Sequence, residues 1–94
     1  MKWIELIQLR SAGSNRELLI SKLQRLVDEV DRKRKRQVIM AFSRESIDTD
    51  FSIHIIHDSK KIENSGSRLG LRLVAALKEF GLVHHSIWRE MHGK

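Results

Sequence analysis

Residues 38–58 read VIMAFSRESIDTDFSIHIIHD, and this stretch decides the fold because it places two strands in direct succession. Val38 to Ser43 carries apolar side chains on both faces of an extended chain. After the polar, acidic segment Glu45 to Asp50, apolar and polar residues alternate again from Phe51 onward. Two such strands joined by a short turn predict a β-hairpin.

A strand and a helix are predicted before the hairpin. Trp3 to Leu9 is apolar on both alternating faces, which is typical of a strand covered on both sides. Ser14 and Glu17 then have the spacing of a capping box, and leucines recur at helical spacing over residues 15–30. The basic run Arg32 to Arg36 follows, and its positive charges suit the carboxyl end of a helix.

A second helix and a last strand are predicted after the hairpin. A polar loop at 60–66 precedes an apolar stripe from Leu69 to Phe80, which Gly81 ends. Leu82 to Met91 alternates again. The chain therefore predicts one α+β domain over residues 1–94 with the order β-α-β-β-α-β. Right-handed crossovers give this order an antiparallel sheet of spatial order 4-1-3-2 with both helices on one face.

Composition limits the class of protein. The 94 residues hold no cysteine, so disulfides and thiol chemistry are excluded. No apolar run approaches the roughly 20 residues that cross a bilayer, and charged and polar residues interrupt the first ten positions. We therefore expect a soluble, cytoplasmic protein without a membrane segment.

The sheet face away from the helices is predicted to be too apolar for water, because both alternating sides of the strands carry large apolar residues. A second copy of the chain packed face to face would cover it, so a homodimer is expected. This element order and burial pattern resemble the dimeric α/β-barrel proteins, a ferredoxin-like superfamily that includes the antibiotic-biosynthesis monooxygenases. The resemblance implies small-molecule binding, or oxygenase or isomerase chemistry without a cofactor, in a pocket at the sheet face.

A pocket on that face is predicted from the side chains that would line it if Ile4 and Leu6 face the helices. The candidates are Trp3, Glu5, Ser52, His54, His84, Ser86 and Trp88. In one interpretation His54 or His84 acts as a general base that Glu5 orients, between tryptophan walls. In the other, the tryptophans are dimer core and the histidines hydrogen-bond across the interface. The two histidines would lie roughly 10 Å apart, so no metal site is expected.

A second candidate surface is basic. The net charge is +6, and the run Arg32, Lys33, Arg34, Lys35 and Arg36 supplies most of it. Strand direction gathers this run at one end with Lys60, Lys61, Ser65, Gly66, Ser67 and Arg68, where free amides at the helix start would suit a phosphate or sulfate. Glu45, Asp48 and Asp50 fall at the opposite end.

The basic run has two interpretations. It is either a solvated connection or the contact surface of an accessory or regulatory protein that binds nucleic acid or an acidic protein. RNA binding across the sheet is disfavoured, because DFSIHIIHD lacks the glycine and aromatic pattern of ribonucleoprotein-type domains.

Overall fold

The structure is a computed structural model that describes residues 2–13, 15–33 and 37–91. The elements are β1 (Lys2–Ser11), α1 (Arg16–Lys33), β2 (Gln37–Ser43), β3 (Asp50–Asp58), α2 (Arg68–Leu77) and β4 (Gly81–Arg89). The predicted order is confirmed, and element ends differ from the predicted ones by a few residues. The predicted cap residue Ser14 lies outside the described residues. No helix in the described ranges is long and apolar enough to cross a membrane.

The four strands form one antiparallel sheet in the order β2-β3-β1-β4, which is the predicted 4-1-3-2 arrangement read from the other edge. The long first strand lies in the middle, because Glu5 pairs with Ile55 of β3 on one side and with Ile87 of β4 on the other. The hairpin of β2 and β3 turns at residues 44–49, where Arg44 N donates to Asp50 O. This α+β arrangement is compatible with a ferredoxin-like fold.

The hydrophobic core lies between the helices and one face of the sheet. Leu19 and Leu23 of α1 and Leu73 and Leu77 of α2 are buried against that face. The strands contribute Ile7, Leu9, Ile39, Phe51, Ile53 and Ile55. Both helices therefore cover the same side, which leaves the other side of the sheet, here called the open face, without a helix.

The predicted orientation of β1 is wrong by one residue. Trp3 and Glu5 face the helices and are 1% and 0% exposed, whereas Ile4 and Leu6 lie on the open face. A one-residue change of parity exchanges the two faces of a strand. Both parities of β1 are largely apolar, and the helix face accepts Glu5 because the tertiary structure surrounds its carboxylate with hydrogen-bond donors.

Candidate functional site

The open face exposes a row of large apolar side chains. Val38 is 52% exposed, Phe42 48% and Trp88 56%, and Met40 and Leu82 are also exposed. Patches of this kind on a small protein mark an interface or a ligand site. The face is therefore the first candidate functional surface.

Strand register decides which polar groups share this face. Residues paired across antiparallel strands point to the same side, so Ser52 lies beside Gln8, and Gln8 beside His84. One step along the strands, His54 lies beside Leu6 in the same way. Polar groups from three strands thus converge among apolar neighbours, as in small-molecule sites.

A groove of about 530 Å³ lies on the open face towards one end of the sheet. We call this end, where β1 ends and β2 leads into β3, the top end. The groove is lined by Gln8, Leu9, Arg10, Phe42, Ser43, Arg44, Asp50, Phe51, Ser52, Leu82, Val83 and His84. The volume suits a small organic ligand.

The predicted pocket residues separate into three groups. Ser52 and His84 line the groove. His54, Ser86 and Trp88 share the open face but lie outside the groove. His54 Nε2 lies 3.0 Å from Oγ of the groove residue Ser52, and Trp88 Nε1 donates to Ser86 Oγ at 2.8 Å.

Trp3 and Glu5, the remaining candidates, lie on the other side of the sheet, so their predicted place in this pocket is wrong. The strand β1 separates His54 from His84, as predicted. Among the described residues no group of three or more His, Cys, Asp or Glu side chains could hold a metal ion.

Two arginines and one carboxylate meet at the top end, beside the groove, and this grouping was not predicted from the sequence. Arg10 Nε lies 3.3 Å from Asp50 Oδ1, and Arg44 Nη1 lies 3.1 Å from Asp50 Oδ2. Partial burial raises the pKa of Asp50, but the hydrogen bonds from Arg10 and Arg44 outweigh it and lower that pKa below its ordinary value. Glu45, Asp48 and Asp50 lie at this end as predicted, and Arg10 and Arg44 share the carboxylate of Asp50 there.

Glu5 is the centre of a buried polar cluster on the helix side of the sheet, formed with His57, Ser67 and His85. Oε2 accepts from His57 Nε2 at 2.6 Å and from Ser67 Oγ, and Oε1 accepts from His85 Nε2 at 2.8 Å and from Ser67 N at 3.1 Å. The ring nitrogens act as donors because an ionised carboxylate can only accept. Burial alone raises the pKa of Glu5, but these hydrogen bonds lower it to about 2.

The Glu5 cluster fixes the start of α2 on the sheet. Ser67 is the N-cap residue of this helix, and its hydroxyl accepts from Gly70 N at 3.0 Å. Trp3 stacks on His57 with ring centroids 4.0 Å apart and donates from Nε1 to Ser59 Oγ at 2.9 Å. Because each oxygen of Glu5 already has two donors, we assign the cluster to the stability of the fold.

Close packing at two glycines makes room for the cluster. A Cβ at Gly70 would lie 1.9 Å from Glu5 Oε1, and one at Gly66 would lie 2.4 Å from His85 Cε1. Gly66 also has a φ of +103°, which favours glycine. The roles of His57 and His85 were not predicted from the sequence. These histidines lie on β3 and β4, the two strands that flank the strand of Glu5, and only the strand register shows that they come close to its carboxylate.

The structure describes only part of the predicted basic surface, and it corrects one feature of that part. The prediction of free amides at the start of α2 is wrong for Ser67, whose N–H donates to Glu5, and Gly66 N donates to Glu63 O. Lys60, Lys61, Ser65 and Arg68 are exposed. Arg34, Lys35 and Arg36 lie outside the described residues, and for Arg32 and Lys33 only the backbone, at the end of α1, is described. Binding of an anionic partner by this end stays a prediction.

Comparison of the sequence with protein families, with curated proteins and with solved structures found no match to this chain. The chemistry of the open face therefore has to be inferred from its own side chains.

Proposed function

We propose that this protein binds a small organic molecule in the groove at the top end of the open face. The observation that carries the proposal is the groove itself, about 530 Å³ in volume, in which Gln8, Ser52 and His84 converge beside Phe42 and Leu82. A few polar groups on an apolar wall give a ligand both buried area and orientation.

We further propose that a second copy of the chain packs on the open face and encloses the groove. Four strands about 4.8 Å apart and about 30 Å long present roughly 600 Å² before side-chain relief is added, which approaches the ~800 Å² that each partner of a standard interface buries. The exposed Val38, Met40 and Trp88 supply the apolar content of such an interface. This is the arrangement that the resemblance to dimeric α/β-barrel proteins implies.

The resemblance to dimeric α/β-barrel proteins also implies oxygenase or isomerase chemistry that needs no cofactor. For such a reaction we propose that His84, whose imidazole lines the groove, accepts a proton from the bound molecule. Glu5 has no part in this step, because it lies on the other side of the sheet.

Binding is tested with the neutral fluorescent probe N-phenyl-1-naphthylamine, whose emission rises when it enters an apolar site. Ser52→Trp places a bulky ring inside the groove, and Ser21→Trp places the same ring at an exposed position on α1, away from the open face. We expect the wild type and Ser21→Trp to bind the probe and Ser52→Trp to lose at least roughly tenfold in affinity, equivalent to about 1.4 kcal/mol. Equal affinity for all three proteins would contradict the proposed groove.

The second copy is tested by light scattering after size exclusion. The wild type should have twice the chain mass of 11.0 kDa, and Trp88→Lys on the open face should have the mass of one chain. Leu71→Lys is the matched control, because Leu71 is similarly exposed but lies on α2. A wild type with the mass of one chain at about 100 μM would refute the dimer.

A further inference from the structure

We infer that the ligand of this groove is an anionic amphiphile, a small molecule whose carboxylate, sulfonate or phosphate group binds between Arg10 and Arg44 while its apolar body lies along the groove. This inference rests on the proposed function, since it names the chemical class of the molecule that the groove takes.

The two arginines reach the groove from different strands. Arg10 lies near the end of β1, and Arg44 directly follows β2. Their side chains remain 69% and 56% exposed although both contact Asp50, whose side chain is only 14% exposed. The carboxylate of Asp50 therefore holds both guanidinium groups at the edge of the groove and leaves much of each open to a ligand.

Both guanidinium groups retain donors. Arg10 uses Nε towards Asp50, and Arg44 uses Nη1. Within the described part of the chain, no other hydrogen bond is made by the remaining nitrogens of these two side chains. A guanidinium is a planar fork of five N–H donors that matches the paired oxygens of a carboxylate, sulfonate or phosphate.

The local charge also favours an anion. Among the charged residues that line the groove, two guanidinium groups and one carboxylate leave a net charge of +1. Asp50 is counted as ionised because its arginine partners lower its pKa. An anionic ligand would neutralise this charge and accept hydrogen bonds from the free guanidinium donors, whereas a neutral ligand would gain neither.

The rest of the groove suits an apolar body. Phe42 is 48% exposed and Leu82 77% exposed, and both line the groove beside the arginines. A molecule with one acidic group and one apolar ring system would contact both parts. A purely inorganic anion would leave the apolar wall in water and should bind weakly.

The test compares two probes that share a ring system and differ in charge. N-phenyl-1-naphthylamine is neutral, and 8-anilino-1-naphthalenesulfonate carries a sulfonate on the same scaffold. We expect the wild type to bind the sulfonate probe roughly tenfold more tightly than the neutral one, and this ratio to fall as salt is added. Equal affinities, or a ratio independent of salt, would overturn the inference.

Variants locate the contact. Arg10→Gln combined with Arg44→Gln should reduce the ratio to about one while binding of the neutral probe is retained, which also shows that the variant is folded. The control Lys60→Gln with Lys61→Gln removes the same charge from exposed positions outside the groove and should leave the ratio unchanged. An equal loss in both double variants would mean that overall charge, and not the groove, attracts the sulfonate.

The two levels of proposal fail separately. If Ser52→Trp binds the neutral probe as well as the wild type does, the groove is wrong, whereas if only the advantage of the sulfonate is missing, the groove stands and the ligand class is wrong.

Discussion

Replacing Glu5 by Gln tests how strongly the buried cluster stabilises the fold. The amide has nearly the shape of the carboxylate, but its NH₂ group cannot accept the hydrogen bonds that one of the two oxygens now receives. A fall in the pKa of Glu5 from 4.5 to about 2 corresponds to about 3 kcal/mol of stability at neutral pH. We expect Glu5→Gln to lower the free energy of unfolding by about that amount and the melting temperature by roughly 15 °C.

The same interaction predicts a pH dependence. Because the pKa of Glu5 is lower in the folded chain than in the unfolded one, its stabilisation is fully present above the unfolded value of 4.5 and is lost as the pH falls towards 2. The difference between wild type and Glu5→Gln should therefore shrink from about 3 kcal/mol at pH 7 to about 1 kcal/mol at pH 3.

Urea titration at pH 7 and at pH 3, followed by circular dichroism and tryptophan fluorescence, measures the stability difference at each pH. Fluorescence is informative because Trp3 is buried beside the cluster. Glu45→Gln is the matched control, because Glu45 is exposed in the turn before β3 and its loss should change stability by less than about 0.5 kcal/mol. A Glu5→Gln protein as stable as the control at pH 7, or a difference that does not change with pH, would refute the assignment of the cluster to stability.

Two further substitutions test the packing of the same region. In an ordinary helix, Gly70→Ala would stabilise the protein by up to about 1 kcal/mol. Here it should destabilise the protein by at least about 2 kcal/mol, because the added Cβ would lie 1.9 Å from Glu5 Oε1. An unchanged or raised urea midpoint would contradict this expectation. Trp3→Phe removes the hydrogen bond to Ser59 and part of the stack on His57, so we expect the free energy of unfolding to fall by about 1–3 kcal/mol in the same titration. The control Trp88→Phe, at an exposed position, should lower it by less than about 1 kcal/mol.

The element order, the sheet order and the packing of both helices on one face of the sheet could all be predicted from the sequence. The hairpin at 38–58, the leucine spacing before it and the apolar stripe after it are local patterns, and right-handed crossovers leave few ways to connect them. Ser52, His54, His84, Ser86 and Trp88 were placed together on one face for the same reason, since alternation in strands β3 and β4 is clear.

The face of β1 could not be predicted in this way. Its residues are apolar at both parities, so periodicity gives no preference, and the polar Glu5 was assigned to the open face as an exposed residue would be. The structure reverses this because Ser67, His57 and His85 supply four hydrogen bonds to the carboxylate. These donors come from positions far away in the chain, and a buried charge is tolerated only when such partners are present.

By itself, then, the sequence determined a β-α-β-β-α-β domain with an apolar open face, because local periodicity and chain connectivity suffice for both. Only the tertiary structure decided that Glu5 anchors α2 and that Arg10, Arg44 and Asp50 meet beside a groove. The reason is physical: strand register brings residues about 40 positions apart within a few ångströms, as it does for Arg10 and Asp50, and that pairing depends on the whole sheet.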